Sequence, residues 1–249
     1  MAMTETILQA RNLSKQFGGF KAVNGVSLDV ARGTVQALIG PNGAGKTTTF
    51  NLLTRFLDAT SGTIRFDGKD ITRRHPADVA MDGMVRSFQI SATFPHLTLI
   101  ENVRIALQRR EGGTFRFWRP ITRSETLNDK AEKLLADVGL ADRGGRLASS
   151  LSYGRKRALE IATTLALRPK LLLLDEPTSG MGIEDIAPIT ALINRLRGSM
   201  TVLMVEHNLS VVAELSDRIT VLARGEVLAE GTYAEVSTNP DVTRAYMGE

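Results

Sequence analysis

Val35-Gln-Ala-Leu-Ile39 followed by Gly40-Pro-Asn-Gly-Ala-Gly-Lys-Thr47 sets the architecture of the chain. Five residues with a continuous apolar character read as a buried strand, and the segment after it fits G-x-x-x-x-G-K-[ST]. A helix is expected from Lys46, so strand, loop and helix stand in the order the motif requires. Glycines let successive backbone N–H groups curl around a phosphate, and the helix N-terminus adds its partial positive charge. Lys46 is placed to reach the β- and γ-phosphates of a nucleotide, and the Thr47 hydroxyl to ligate Mg²⁺. Gly40, Pro41, Asn42, Gly43, Ala44, Gly45, Lys46, Thr47 and Thr48 are therefore the candidate nucleotide-binding residues. The plain alternative is a glycine-rich turn with a surface lysine, for which the flanking strand and helix have no need.

A second buried strand, Leu171-Leu-Leu-Leu174, ends in Asp175-Glu176. Ligands of open α/β sheets sit outside the carboxyl ends of strands, where these two acids fall. Asp175 suits a Mg²⁺ held through water, and Glu176 can polarise an attacking water as general base. Alone, two acids after a strand read as a solvated turn. Beside the cradle they supply what ATP hydrolysis needs, a metal anchor and a water-orienting group.

Further out, Thr201 to Val205 is a third apolar strand, and Gly62-Thr-Ile-Arg-Phe-Asp-Gly68 alternates like a half-buried one. From about Ile90 to Arg168 the pattern turns helical. Thr98 and Glu101 form a capping box ahead of Ile100, Val103 and Leu107. A second helix is predicted from about Asn128 to Val138, closed by Gly139, and a third from Ser152 to before Pro169. The expected fold is α/β: a nucleotide-binding core with a mostly parallel sheet, an antiparallel β part and a helical insertion. One domain of 1–249 is expected, with 1–89 and 169–249 as core and 90–168 as helical lobe.

Bulk composition narrows the class. Hydrophobic residues at 43% and charged residues at 23% are those of a globular chain, and the net charge is +4. Aromatics at 5% argue against a base-stacking surface, and no nucleic-acid partner is expected. The chain has no cysteine, which excludes disulfides and thiolate metal sites. Neither a signal-like stretch in Met1 to Arg11 nor an unbroken run of ~18–20 apolar residues is present, so attachment to a membrane is expected through partners.

With these residues in chain order, the sequence resembles the ATP-binding subunits of ABC transporters. Leu151-Ser-Tyr-Gly-Arg-Lys-Arg157, its Ser152 lying 23 residues before Asp175, looks like the family signature. Ser152 at a helix start, the Gly154 amide and the helix dipole are all suited to an anion in front of that helix. The resemblance makes Leu151, Ser152, Tyr153, Gly154 and Arg155 contacts to ATP held by a second subunit. It places Gln89 at the glutamine that contacts Mg²⁺, His207 at the switch histidine on the γ-phosphate, and Phe17 at the aromatic that stacks on adenine. Catalysis would rest on Glu176, His207, Gln89 and Lys46, and the metal on Thr47, Gln89 and Asp175. Phe17 has a competing reading as a core residue, with Phe20 as its neighbour and rival.

The signature carries Tyr153 and Arg155 where the commonest form has Gly and Gln, and Ser179-Gly-Met-Gly182 ends in glycine where Asp or Asn is usual. Leu-Ser-Tyr-Gly, Phe-Gly-Gly near the start and the Asn-Pro-Asp-Val-Thr-Arg-Ala-Tyr-Met-Gly-Glu249 ending resemble importers of branched-chain amino acids. The resemblance implies a second ATP-binding subunit (as homo- or heterodimer), two membrane-spanning permease subunits and an extracytoplasmic solute-binding protein. It also implies ATP and Mg²⁺ as cofactors and a peripheral place on the cytoplasmic face of the inner membrane. A lipid-exporting ABC subunit is the near alternative. A soluble ABC ATPase acting on ribosomes or DNA is more distant, because the chain has neither a second cassette nor a coiled-coil insertion.

Residues 109–123 hold five arginines, Phe115, Phe117 and Trp118 against the single acid Glu111. A packed or solvated loop, a membrane-facing or partner-facing loop and a nucleic-acid contact all suit this composition.

Overall fold

The computed structural model describes residues 5–87, 93–110 and 122–247. They fall into two compact units, Met1–Arg86 with Lys170–Ser179 and Leu196–Glu249, and Ser87–Pro169 with Gly180–Arg195.

The first unit opens with a long antiparallel hairpin, β1 (Thr6–Phe17) and β2 (Phe20–Ala31). β3 (Val35–Ile39) follows with the bounds the sequence predicts, and α1 (Lys46–Leu53) starts at the predicted Lys46. β4 (Ser61–Phe66) and β5 (Lys69–Asp70) extend the hairpin to an antiparallel sheet of order β2-β1-β4-β5. Burial alternates at the inner end of β4, with Ile64 and Phe66 in and Arg65 out. α2 (Pro76–Asp82) leads into β6 (Met84–Arg86).

The second unit contributes α3 (Leu99–Arg110), α4 (Thr122–Asp137) and α5 (Tyr153–Ala166), which pack on one another. The capping box forms as read: the Thr98 amide donates to Glu101 Oε2 at 2.7 Å, and the Glu101 amide to Thr98 Oγ1 at 3.3 Å. Leu99, Val103 and Leu107 are buried, while Ile100 is only half-buried. α4 starts six residues before the predicted Asn128. Its first turns, Thr122 to Leu127, show too few apolar residues for periodicity to register.

The chain then supplies β7 (Leu171–Asp175), α6 (Ile183–Leu196), β8 (Thr201–Val205), α7 (Leu209–Leu215), β9 (Arg218–Ala223), β10 (Glu226–Gly231), α8 (Tyr233–Ser237) and α9 (Pro240–Met247). The second sheet of the first unit has the order β10-β9-β3-β8-β7-β6, parallel throughout except for the edge strand β10. Every residue of β3, β7 and β8 is buried, which is why their sequences are continuous apolar runs rather than alternating ones. Leu8, Leu28, Phe66, Phe50, Leu38, Leu173 and Leu203 belong to a single apolar cluster, so both sheets of this unit share a core. Truncating Phe50 or Phe66, each at most 1% exposed, would cost about 3–5 kcal/mol.

Register fixes what this sheet presents. Leu38 of β3 and Asp175 of β7 both pair with Val205 of the intervening β8. Three strands therefore end level, and the segments that follow them emerge along one carboxyl edge.

Candidate functional site

The loop 40–45 leaves β3 at that edge. Gly40 has a φ of 150°, and a Cβ there would lie 2.1 Å from the Leu222 carbonyl oxygen. α1 begins after Gly45 with no side-chain cap hydrogen bond, leaving its first N–H groups facing the loop. Lys46 is buried, and its Nζ donates to the carbonyls of Gly40 at 2.6 Å and Pro41 at 2.9 Å. Burial lowers the pKa of this ammonium, and the nearby Glu176 carboxylate works in the opposite direction. The lysine thus ties the loop closed by its own carbonyls, and a triphosphate would compete for the same donor. Thr47 is exposed at the first turn of α1 and Thr48 is half-buried.

Glu176 follows β7 with a φ of 45°, a left-handed conformation that non-glycine residues adopt at some cost. Its amide donates to the Val205 carbonyl at 2.9 Å, which anchors the turn to β8. Glu176 Oε1 lies 2.6 Å from His207 Nε2. The candidate base and the candidate switch histidine are therefore direct partners, both from segments that leave adjacent strands.

Glu206, buried at 2% exposure, holds this pair in place. Its Oε1 accepts from the Thr178 amide at 3.0 Å and from the Thr178 hydroxyl, and its Oε2 from the amides of His207 at 2.6 Å and Asn208 at 3.0 Å. One carboxylate ties the turn after β7 to the turn after β8. Sequence reasoning passed over Glu206, because a single acid after a strand carries no local signal of a four-donor hub.

Asp175, only 1% exposed, is paired with Arg86 of β6. The same guanidinium donates to Asn51 Oδ1 at 2.5 Å and stands over the Phe50 ring, 5.7 Å from its centroid. Neither Arg86 nor Asn51 belongs to a motif that the sequence displays. Among the described residues no group of three or more His, Cys, Asp or Glu could hold a metal alone. The Thr47 hydroxyl and the Asp175 carboxylate are hard oxygen donors, few in number. That set fits Mg²⁺, which keeps waters and phosphate oxygens as its remaining ligands.

Phe17 is 49% exposed and Phe20 66% exposed, so neither is a core residue. The two pair across the β1–β2 turn, and Lys15 Nζ lies 5.2 Å from the Phe17 centroid. Gln89 lies outside the described residues, as do 111–121 of the arginine-aromatic segment.

In the second unit, Ser152 occupies the N-cap position of α5, but its side chain makes no cap hydrogen bond. The cap is one of position and backbone only, and the exposed hydroxyl is not spent on its own helix. Leu151 and Gly154 are buried, while Tyr153 and Arg155 are exposed. A Cβ on Gly154 would lie 2.6 Å from Asp185 Cγ, so the glycine admits that carboxylate against the helix start. The ring of Tyr153 lies beside Gly180, its hydroxyl 3.7 Å from where a Cβ would sit. A side chain at position 182 would meet the Glu184 carboxylate at 3.0 Å, so Asp there would need Glu184 to turn away.

Comparison with known proteins places the fold in a family. The family model described as "ABC transporter" matches residues 23–179, and one described as "Branched-chain amino acid ATP-binding cassette transporter" matches 226–249. The high-affinity branched-chain amino acid transport ATP-binding protein BraF of Pseudomonas aeruginosa is 41% identical over 254 residues, covering 99% of this chain and 100% of its own length. LivG of Escherichia coli K12, of the same description, is 40% identical over 257 residues with the same coverage. A crystal structure of an ATP-binding cassette of an ABC transporter in its ADP conformation superposes with a TM-score of 0.86 at 33% identity, over 99% of this chain and 100% of that one. By family match, by full-length similarity and by fold, the chain belongs to the ATP-binding cassettes of ABC transporters.

Proposed function

We propose that this chain binds and hydrolyses ATP to drive an importer of branched-chain or related amino acids, working with Mg²⁺ on the cytoplasmic face of the membrane. The observation that carries the chemical half is the Glu176–His207 pair at 2.6 Å on the edge that bears the Lys46 loop. The cargo is supported by the 41% identity to BraF over 99% of the chain and by the match of 226–249. Residues 1–249 act as one cassette, with 1–89 and 169–249 as core and 90–168 as helical lobe.

In this reading Lys46 leaves the Gly40 and Pro41 carbonyls for the β- and γ-phosphates, and Gly40 to Thr48 wrap them with backbone amides. Phe17, exposed beside Lys15, stacks on the adenine. Thr47, Asp175 and Gln89 hold Mg²⁺, which when bound neutralises charge on the phosphates. Glu176 accepts a proton from the attacking water, and His207 steadies that carboxylate and meets the γ-phosphate. Leu151, Ser152, Tyr153, Gly154 and Arg155 serve the nucleotide of a partner cassette, so two subunits enclose two ATP molecules. Two permease subunits and an extracytoplasmic binding protein complete the machine, and no nucleic acid takes part. Among the described residues no helix is long and apolar enough to cross a membrane.

Because half of each site comes from a second subunit, specific ATPase activity of the isolated chain should rise with protein concentration. A rate per subunit that stays flat over a wide dilution series, with a monomer throughout by light scattering, would contradict the shared site. Recovery after detergent extraction separates the classes: membrane subunits for a transporter, ribosomal RNA or DNA for a soluble ATPase.

Docking is assigned to the stretch before α3. Asn102, buried in α3, accepts from the Phe94 amide at 2.7 Å and donates to the Phe94 carbonyl at 3.1 Å, while the Phe94 ring remains 50% exposed. A pinned backbone with an outward aromatic is the form of an interface anchor, worth ~2 kcal/mol or more when buried by a partner. Phe94→Ala should leave ATP binding and melting temperature unchanged and abolish co-purification with the permease. Normal recovery of the complex with a lowered melting temperature would make Phe94 a packing residue instead.

A further inference from the structure

The proposed chemistry gives no task to the cation that pairs with Asp175. Arg86 closes β6 with its side chain 11% exposed, against 2% for the side chain of Asp175. Its guanidinium is fixed from three directions: Nη2 on Asp175 Oδ2, Nη1 on Asn51 Oδ1 at 2.5 Å, and its face over Phe50. Asn51 lies four residues after Thr47 on α1, so helix periodicity puts the two on one face. The arm that holds the arginine thus rises from the same face of α1 as the hydroxyl assigned to the metal. An isolated carboxylate as buried as Asp175 is costly, and a cation beside it offsets that cost. A planar fork with two acceptors meets that need without metal.

We propose that Arg86 is the resident counter-ion of Asp175 in the nucleotide-free subunit, and that the divalent metal entering with nucleotide competes with it for that carboxylate. The inference rests on Asp175 being the metal anchor. It makes metal affinity a difference between two cations rather than a property of the oxygen ligands alone. The ion pair lowers that affinity while it offsets the cost of burying the carboxylate.

The test is Mn²⁺ binding to the full chain in the presence of excess ADP, read by the loss of the free-ion electron paramagnetic resonance signal, with metal-free melting temperature beside it. Arg86→Gln should bind Mn²⁺ about tenfold more tightly than wild type, the loss of one charge-assisted competitor, and melt lower without metal. Asn51→Ala keeps both charges but unpins the guanidinium, and should also tighten Mn²⁺ binding, by less. If Arg86→Gln does not fold, Asn51→Ala carries the test alone. Mn²⁺ affinity equal to or weaker than wild type in the folded variants overturns the exchange. Asp175→Asn reports separately on the anchor: it should weaken Mn²⁺ binding, and if it binds as wild type does, the assignment of Asp175 fails and the exchange with it.

Discussion

Glu176→Gln should abolish steady-state ATP turnover, by about 10²–10⁴-fold, while ATP affinity stays at the wild-type value. The substitution preserves shape and leaves the main chain undisturbed. The Glu176 amide still reaches the Val205 carbonyl, and the side-chain amide can still meet His207 Nε2, now 2.6 Å from Glu176 Oε1. What disappears is a carboxylate able to take a proton from water. Binding survives because it is assigned to the Gly40–Thr48 loop and to Lys46, whose hydrogen bonds the change leaves in place, although it removes one nearby negative charge from the lysine. The variant should therefore accumulate as an ATP-filled dimer, visible by size-exclusion chromatography with ATP and absent with ADP. Undiminished hydrolysis in Glu176→Gln would remove Glu176 as the base.

Gly40→Ala should be the most destabilising change in the loop, and Gly43→Ala the informative control. Both glycines have positive φ, 150° and 78°. At Gly43 a Cβ would meet nothing within 4 Å, so only the backbone strain remains, about 1–2 kcal/mol. At Gly40 the same atom would lie 2.1 Å from the Leu222 carbonyl oxygen and 3.1 Å from the Ala44 Cβ. β9 would have to move away from β3, at a cost of about 3 kcal/mol or more. In a domain of this size that is roughly 6–12 °C in melting temperature, against roughly 2–8 °C for Gly43→Ala. Equal shifts for the two variants would mean that Gly40 is needed for its φ alone.

The parts of this molecule that the sequence states openly are those whose physics is local. β3 and β8 have the predicted bounds because a strand covered on both faces must be apolar at every position. The loop, the acidic pair and the Thr98–Glu101 cap are readable because each needs fixed residue types at fixed spacing. The hidden parts are pairings across long stretches of chain. Asp175 and its partner Arg86 are 89 residues apart, and Glu206 reaches 28 residues back to Thr178. Arg86 in isolation reads as a charge closing a short strand, and Glu206 as a solvated acid before a histidine. Ser152 shows the reverse case. Its position at the start of α5 follows from pattern, but whether the hydroxyl turns back to cap the helix depends on rotamer and surroundings that pattern does not contain. Phe17 could have been core by composition; only the hairpin geometry sets its ring half in solvent.

The most direct test of the whole account is uptake of labelled leucine, isoleucine or valine by cells that lack this chain, supplied with either the wild-type gene or Glu176→Gln at equal protein level. Wild type should restore uptake and Glu176→Gln should not, although the variant still assembles with the membrane subunits. Uptake that is normal without the chain, or that Glu176→Gln restores in full, would contradict it.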